Sequence, residues 1–392
     1  MSRPRVILKP KRAQPFFGRH PWVFAGAIAA ATGDPADGAE VDLHSSAGNF
    51  VARGLYNSQS KIRVRLYSWQ EDINLDAEFF RQRIASAYRF RRDVLNLDRA
   101  CRLVFSEADG LSGMVIDQFG DWLVLQFTSL ALAQRREMMA DILTDLFQPK
   151  GIYLRTEKGI GKLEGLLLQD GLMRGVEPEG DIVIDDSGIR FRVDLREGQK
   201  TGFYFDQREN RKAVARYAAG RNVLDAFCYS GGFALHAARN GAASVVGIDA
   251  SEAALKLARV NAEQNNLSVS FESCDVFDQL AKYQTENRRF DMIILDPPKF
   301  ARARHALPEA LKGYRRLQTL AAQLLTADGI LVMCCCTGLI TQEMLEEQLA
   351  QVSAKVGRDI QILERRGQAP DHPVSVSCLE SAYLKCLIMR VI

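Results

Sequence analysis

Three cysteines stand together in GILVMCCCTGLI, residues 329–340, at the end of an apolar run in a chain that has only eight. A few per cent of thiolate at neutral pH already makes cysteine a strong nucleophile, so one of the three is a candidate for covalent chemistry. Side chains alternate along a strand, which puts Cys334 and Cys336 on one face and Cys335 on the other. Cys336 is the last before a Thr-Gly turn and is expected to reach a crevice, whereas Cys334 and Cys335 read as small core residues. A second set comprises four acids, Asp225, Asp249, Asp275 and Asp296, each at or near the end of a predicted strand. Ligands of open α/β sheets bind outside the carboxyl ends of the strands, where an acid accepts hydrogen bonds from ribose hydroxyls. Gly231 and Gly232, in FCYSGGF, would let backbone N–H groups approach such a ligand at the start of a helix. Phe233, Ala234 and Leu235 stand where G-x-G-x-x-G carries its later glycine, so a dinucleotide pyrophosphate is a weak expectation.

The elements that must position these residues follow from periodicity. From about residue 185, NVLDAF, ASVVGID, SVSFES, FDMIILD and GILVMCC read as strands alternating with helices such as FALHAARN and SEAALKLARVNAEQNN. That pattern predicts an α/β fold with a mostly parallel, doubly wound sheet. IQILERRG and AYLKCLIMRV are two further strands, predicted as a closing hairpin. The first 70 or so residues give RVILK, GAEVDLHSS, NFVARGLYN and KIRVRLYSW, a small β-barrel-like module. Residues 75–97 have apolar residues at helical spacing among arginines. A central small α/β segment follows, with RLVFSE, MVIDQFG, DWLVLQFTS and GIYLRTE as strands and ALAQRREMMADILTDLF as a helix. The predicted domains are 1–73, 74–184 and 185–392.

The chain has 392 residues, 47% of them apolar and 25% charged, which excludes disordered and fibrous classes. The N-terminus lacks an apolar leader core and no run is long enough to span a bilayer, so a soluble cytoplasmic protein is expected. No C-x-x-C pair or Cys/His cluster stands at zinc spacing, so neither a metal nor a disulfide framework is expected. Net charge is only +3, but Lys9, Lys11, Arg12 and Arg19 precede the first acid, and Lys61, Arg63 and Arg65 alternate along one strand. With Arg81, Arg83, Arg89, Arg91 and Arg92 on the following helix, they predict a basic surface of the kind that meets phosphate.

The order of an acid before SGG, then ID, CD and DPPK, resembles the class I S-adenosylmethionine-dependent methyltransferases, whose catalytic domain is Rossmann-like. The resemblance implies that the turn containing Asp225, Phe227, Ser230, Gly231 and Gly232 holds the methionine end of S-adenosylmethionine. It implies that Asp249 binds the ribose and that Asp275 lies by the adenine. Asp-Pro-Pro-aromatic loops are typical of enzymes that methylate exocyclic amines, but here Lys299 stands in the aromatic position. Carbon methylation at C5 of cytosine needs a nucleophile to add first at C6, and Cys336 would serve.

RHPWVFAGAI, EADGLSG, GQKTGFYFDQRENR, FCYSGGFAL, DPPKF, the Gly313-Tyr314 pair and CTGL narrow the resemblance, over essentially the whole chain, to the RlmI-type bacterial 23S ribosomal RNA cytosine-C5 methyltransferases. That resemblance implies an N-terminal PUA module for RNA, 23S ribosomal RNA as partner, and Cys336 and Asp296 as catalytic residues. Gln207, Arg208 and Asn210 would form a wall of the cofactor pocket, with Asp206 capping their helix. Family members carry one cysteine in a Ser-Cys-Ser-Gly context, and Cys334 and Cys335 are additions to that pattern. Two other readings are an RNA N-methyltransferase acting through DPPKF and a non-catalytic RNA-binding assembly factor.

Overall fold

The computed structural model describes residues 3–156, 159–195, 201–301 and 303–392, so residues 198–200 at the start of the GQKTGFYFDQRENR motif lie outside it. Two compact units are present. One contains residues 1–184, 193–205 and 370–381, and the other contains 185–192, 206–369 and 382–392.

In the first unit, the four strands expected at the N-terminus form at Arg5–Leu8, Glu40–His44, Phe50–Tyr56 and Ile62–Ser68, and two more, Trp22–Phe24 and Ile28–Thr32, complete a six-stranded sheet. A five-stranded sheet follows, with Gly171–Gly175 added to the four predicted strands. Helix Ala77–Arg89 begins where the Asp76 carboxylate accepts the Phe79 N–H at 3.0 Å, and it buries Phe80, Ile84 and Ala87. Leu55 and Tyr67 of the first sheet pack in one core with Phe80, Ile84 and Leu103. The expected boundary at 73 therefore divides two sheets but not two compact units.

Two arginines leave the predicted basic surface. Arg65 is only 7% exposed, and its guanidinium meets Glu107 at 3.3 Å and Glu164 at 3.2 Å. Arg91 is fully buried, grips both Asp109 oxygens at 2.7 and 2.8 Å and donates to the Asp371 carbonyl at 2.8 Å. The helical and strand periodicities had placed both outward, but the acids that draw them inward come from later segments.

The second unit is built on a seven-stranded sheet. Its spatial order is Ser270–Ser273, Ser244–Asp249, Asn222–Ala226, Phe290–Leu295, Leu325–Cys335, Lys385–Val391 and Ile360–Arg366. The first five are parallel, and Lys385–Val391 runs antiparallel between Leu325–Cys335 and Ile360–Arg366. The last two strands pair as expected, yet they are not a tight hairpin, because residues 370–381 between them belong to the other unit. Register brings the strand ends level: Ala226 pairs with Leu295, and Leu295 with Met333. Among the described residues no helix is long and apolar enough to cross a membrane.

Arg91→Ala should cost about 3 kcal/mol or more, because it leaves the Asp109 carboxylate nearly buried without its cation. Urea unfolding followed by tryptophan fluorescence measures this; a loss within about 0.5 kcal/mol, typical of a surface arginine, would contradict the buried assignment.

Candidate active site

The parallel strands deliver the predicted acids to one edge of the sheet. Asp225 ends fully buried, and its Oδ2 accepts the Ala234 N–H at 2.8 Å in the first turn of helix Gly232–Arg239. Its Oδ1 is buried and has no hydrogen-bond partner among the described residues. Burial pushes this carboxyl well above the usual carboxylate range; the Ala234 N–H opposes the shift, and the negative charges of Asp296 and Asp249 add to it. An unmet buried acceptor in a negative field is a fitting seat for a cationic ligand group.

Between Asp225 and that helix the chain turns sharply. Phe227 and Tyr229 have φ of 64° and 49°, and Gly231 has φ of 84°. Left-handed backbone at two non-glycine residues costs energy, and such strain persists where the surroundings over-determine it. Here Asp249 supplies part of that restraint: its Oδ2 accepts the Tyr229 N–H at 3.0 Å and its Oδ1 the Ser251 N–H at 2.9 Å. Asn261 donates to the Ser230 carbonyl at 3.2 Å from the neighbouring helix. A Cβ at Gly232 would lie 3.2 Å from Arg211 Cδ and press on that side chain. Asp275 caps helix Val276–Thr285, its Oδ1 accepting the Asp278 N–H at 3.1 Å, and it is exposed at the end of its strand.

The segment before the sheet divides by role. Gln207 donates to Asp296 Oδ2 at 3.1 Å and accepts from Asn210 Nδ2 at 2.7 Å, so these three are brought together. Arg208 is turned to another task, with its Nε 3.0 Å from Asp186 Oδ1, and Arg211 and His236 converge on the same carboxylate. That ionic cluster sits under the glycine turn through Arg211. Asp206 does not cap the helix Arg208–Ala215: Gln207 occupies the cap position without a side-chain bond, and Asp206 accepts the Tyr383 hydroxyl at 2.5 Å.

The cysteines separate as strand alternation demands. Cys334 packs with Cys386 in one core and Cys335 packs in the other, both fully buried. The hydrogen bond with Cys386 and burial raise the Cys334 thiol well above its ordinary value. Cys336 is part-exposed, with Sγ 4.0 Å from the Pro297 carbonyl of DPPKF. Phe300 of that loop packs at a tilt against Tyr314, ring centroids 4.6 Å apart, and the Tyr314 hydroxyl is 3.2 Å from Thr337 Oγ1. Gly313 allows this, since a Cβ would crowd the Phe300 ring at 3.2 Å. The Gly-Tyr pair thus braces the DPPKF and CTGL loops against each other.

Lys385 was not visible in the sequence as a site residue. Its strand pairs it with Cys335, and its Nζ donates at 3.1 Å to the carbonyls of Thr337 and Tyr383, over the Cys336 turn. Burial lowers its pKa, opposed by the charges that Cys335 and Cys336 can carry. A signal was present in its position on a predicted strand, but the partner strand was not assignable.

Lys9, Lys11, Arg12, Arg19 and Lys61 are exposed and Arg63 is half-buried, its guanidinium donating to the Asn57 carbonyl at 3.3 Å. Arg19 lines a cavity of about 580 Å³ in the first unit, together with Trp69, Arg83 and Phe90. His20 meets Cys378 and Glu380, from the far end of the sequence, with ligand-type atoms within 4.8 Å. His20 Nδ1 accepts the Trp22 N–H at 3.2 Å, which leaves the ring proton on Nε2, facing Glu380 at 3.5 Å, where a metal would need a lone pair.

A parallel sheet carrying an acid-and-glycine cofactor turn, with a DPPKF loop beside it, is the class I methyltransferase arrangement. The S-adenosylmethionine-dependent methyltransferase family matches residues 173–390, and a PUA-like domain matches residues 6–69. Among curated proteins, "Ribosomal RNA large subunit methyltransferase I" of Tolumonas auensis is 40% identical over 393 residues, covering 99% of each chain. The protein of the same name from Aeromonas salmonicida is 38% identical, covering 98% of each chain. A solved methyltransferase complexed with SAH superposes with a TM-score of 0.86 at 22% identity, covering 99% of this chain and 100% of that one. A SAM-dependent methyltransferase from Streptococcus mutans gives 0.85 at 21% identity, with the same coverage. The chain belongs to the ribosomal RNA large subunit methyltransferase I family, and its cofactor is S-adenosylmethionine.

Asp225→Asn should change the pH dependence of stability in the cofactor-free protein. A carboxyl raised on folding stabilises below its unfolded pKa, about 4, and that contribution is lost as pH rises through the folded value. Wild type should therefore lose melting temperature relative to Asp225→Asn on going from pH 5 to pH 8; parallel curves would remove the strained carboxyl.

Proposed function

We propose that this chain methylates C5 of a cytosine in large-subunit (23S) ribosomal RNA, with Cys336 as covalent nucleophile. The observation that carries this reading is the position of Cys336. It is the only part-exposed cysteine of the three, at the end of its strand, against the DPPKF loop. The relatives' shared name supports the RNA class, and the PUA-like domain supports RNA docking through Lys9, Lys11, Arg12, Arg19, Lys61 and Arg63.

S-adenosylmethionine supplies an electrophilic methyl group. Asp225 Oδ1 is our candidate for its ammonium, Asp249 for its ribose and Asp275 for the adenine side, with the turn from Phe227 to Gly232 and the Gln207–Asn210 pair closing around it. What the chain must add is a nucleophilic C5. The target cytosine is swung out of its stack, as enzymes acting on base atoms require. Cys336 thiolate adds to C6, and the electron pair of the C5=C6 bond moves toward C5, which would then form the new carbon–carbon bond as the methyl's bond to the cofactor sulfur breaks and S-adenosylhomocysteine leaves. Loss of the C5 proton to a base re-forms C5=C6 and expels the thiolate. Asp296, which accepts from Gln207, is our candidate for holding or protonating the N3/N4 edge, and a proton given to N3 would make C6 more electrophilic. The Lys385 ammonium over the Cys336 turn favours the thiolate, because an adjacent cation stabilises the charged form.

Calorimetry tests the cofactor assignments: Asp225→Asn and Asp249→Ala should each weaken S-adenosylmethionine binding about tenfold or more, the scale of one hydrogen bond to a charged group. Unchanged affinity removes the residue from the site.

The mechanism is tested with RNA carrying 5-fluorocytosine, in which fluorine replaces the proton whose loss frees the enzyme. A protein–RNA adduct should survive denaturing electrophoresis with wild type, Cys334→Ala and Cys335→Ala, and be absent with Cys336→Ala. Lys385→Met should still form it, but only at higher pH. An adduct lost in Cys334→Ala and kept in Cys336→Ala would name the wrong sulfur. No adduct, with a methylated exocyclic amine in the product, would favour the amine reading of DPPKF.

A further inference from the structure

A second basic feature lies in the catalytic unit, outside the N-terminal surface that the sequence points to. Helices Leu307–Leu324 and Gln342–Val356 pack side by side, joined by Gln348 Nε2 donating to the Leu311 carbonyl at 2.7 Å. They enclose a groove of about 310 Å³ lined by Lys312, Arg315 and Arg316 from one helix and Lys355 from the other, with no carboxylate among the lining residues. Among the described residues its one acidic neighbour in the ion pairs is Glu309, which meets Lys312 at 3.2 Å where both side chains are largely exposed. Such a pair is worth little in water. Arg315 Nε is buried without a hydrogen-bond partner among the described residues. Four cations gathered beside a single exposed acid repel one another, and an anion in the groove relieves that repulsion.

The groove is also connected to the reacting end of the sheet. Arg316 lies 5.0 Å from the Phe277 ring centroid, Phe277 is 6.2 Å from Phe300, and Phe300 packs at a tilt against Tyr314 at 4.6 Å. Phe300 belongs to DPPKF, and the Tyr314 hydroxyl meets Thr337, the residue after Cys336. Lys312, Arg315 and Arg316 thus flank the Gly-Tyr pair that braces the DPPKF and CTGL loops.

We propose that the groove between these two helices is a phosphate-binding track for the RNA strand flanking the target nucleotide, contacted by Lys312, Arg315, Arg316 and Lys355. The inference rests on the RNA reading above and deepens it. Phosphate contacts position without reading sequence, so the track orients the target rather than selecting it.

The test uses the full chain, 23S ribosomal RNA transcribed in vitro, and Arg316→Gln/Lys355→Gln, which takes one exposed cation from each helix. The log-log salt slope of RNA binding should fall by about 1.4, at roughly 0.7 per contact on single strands. KM for RNA should rise about tenfold, with kcat, cofactor affinity and melting temperature unchanged, and Arg316→Lys with Lys355→Arg should keep the wild-type slope. Arg239→Gln/Lys256→Gln removes the same charge from exposed positions elsewhere in this unit and should leave the slope unchanged. A wild-type slope in Arg316→Gln/Lys355→Gln, or an equal loss in the control pair, overturns the track while leaving the RNA reading intact. A wild-type chain that neither binds nor methylates this RNA overturns that reading, and the track with it.

Discussion

The buried carboxyl of Asp225 is the constraint around which the catalytic unit is organised. Parallel register sets the ends of neighbouring strands level, so an acid closing one strand feels the acids closing the next. Burial already disfavours the charged form of Asp225, and Asp296 and Asp249 add to that, with one backbone N–H as direct compensation. A local negative field is the result, beside a turn held in left-handed backbone at Phe227, Tyr229 and Gly231. A cationic, ribose-bearing cofactor answers both features at once.

The other half of the site depends on how two loops are locked together. Tyr314 reaches from its helix to Thr337, while Phe300 lies against its ring in space that Gly313 leaves open. This holds the ends of Phe290–Leu295 and Leu325–Cys335 in one geometry and leaves Cys336 beside the Pro297 carbonyl. Lys385 then closes over the same turn from the antiparallel strand. Residues on three different elements converge on the turn that carries this sulfur, the kind of support our proposed nucleophile needs.

Much of this was legible because β-α periodicity is a local property. The five parallel strands, the glycine turn and the opposite faces of Cys334 and Cys335 all follow from residues within a few positions of one another. What stayed hidden depends on partners far along the chain. Arg65 and Arg91 read as surface cations because Glu107, Glu164 and Asp109 arrive from later segments. Lys385 has meaning only once its strand is known to lie against Cys335, and the groove cations matter only when Lys355 is brought to Arg316. Asp206 looked like a helix cap, but the Tyr383 hydroxyl, 177 positions on, claims it.

Identity of the product is the most direct measurement of the central claim. Unmodified 23S ribosomal RNA incubated with this protein and S-adenosylmethionine bearing a deuterated methyl group can be digested to nucleosides and resolved by mass spectrometry. The account predicts label in 5-methylcytidine from wild type and none from Cys336→Ala. Label in an N-methylated guanosine, adenosine or cytidine, retained in Cys336→Ala, would contradict it.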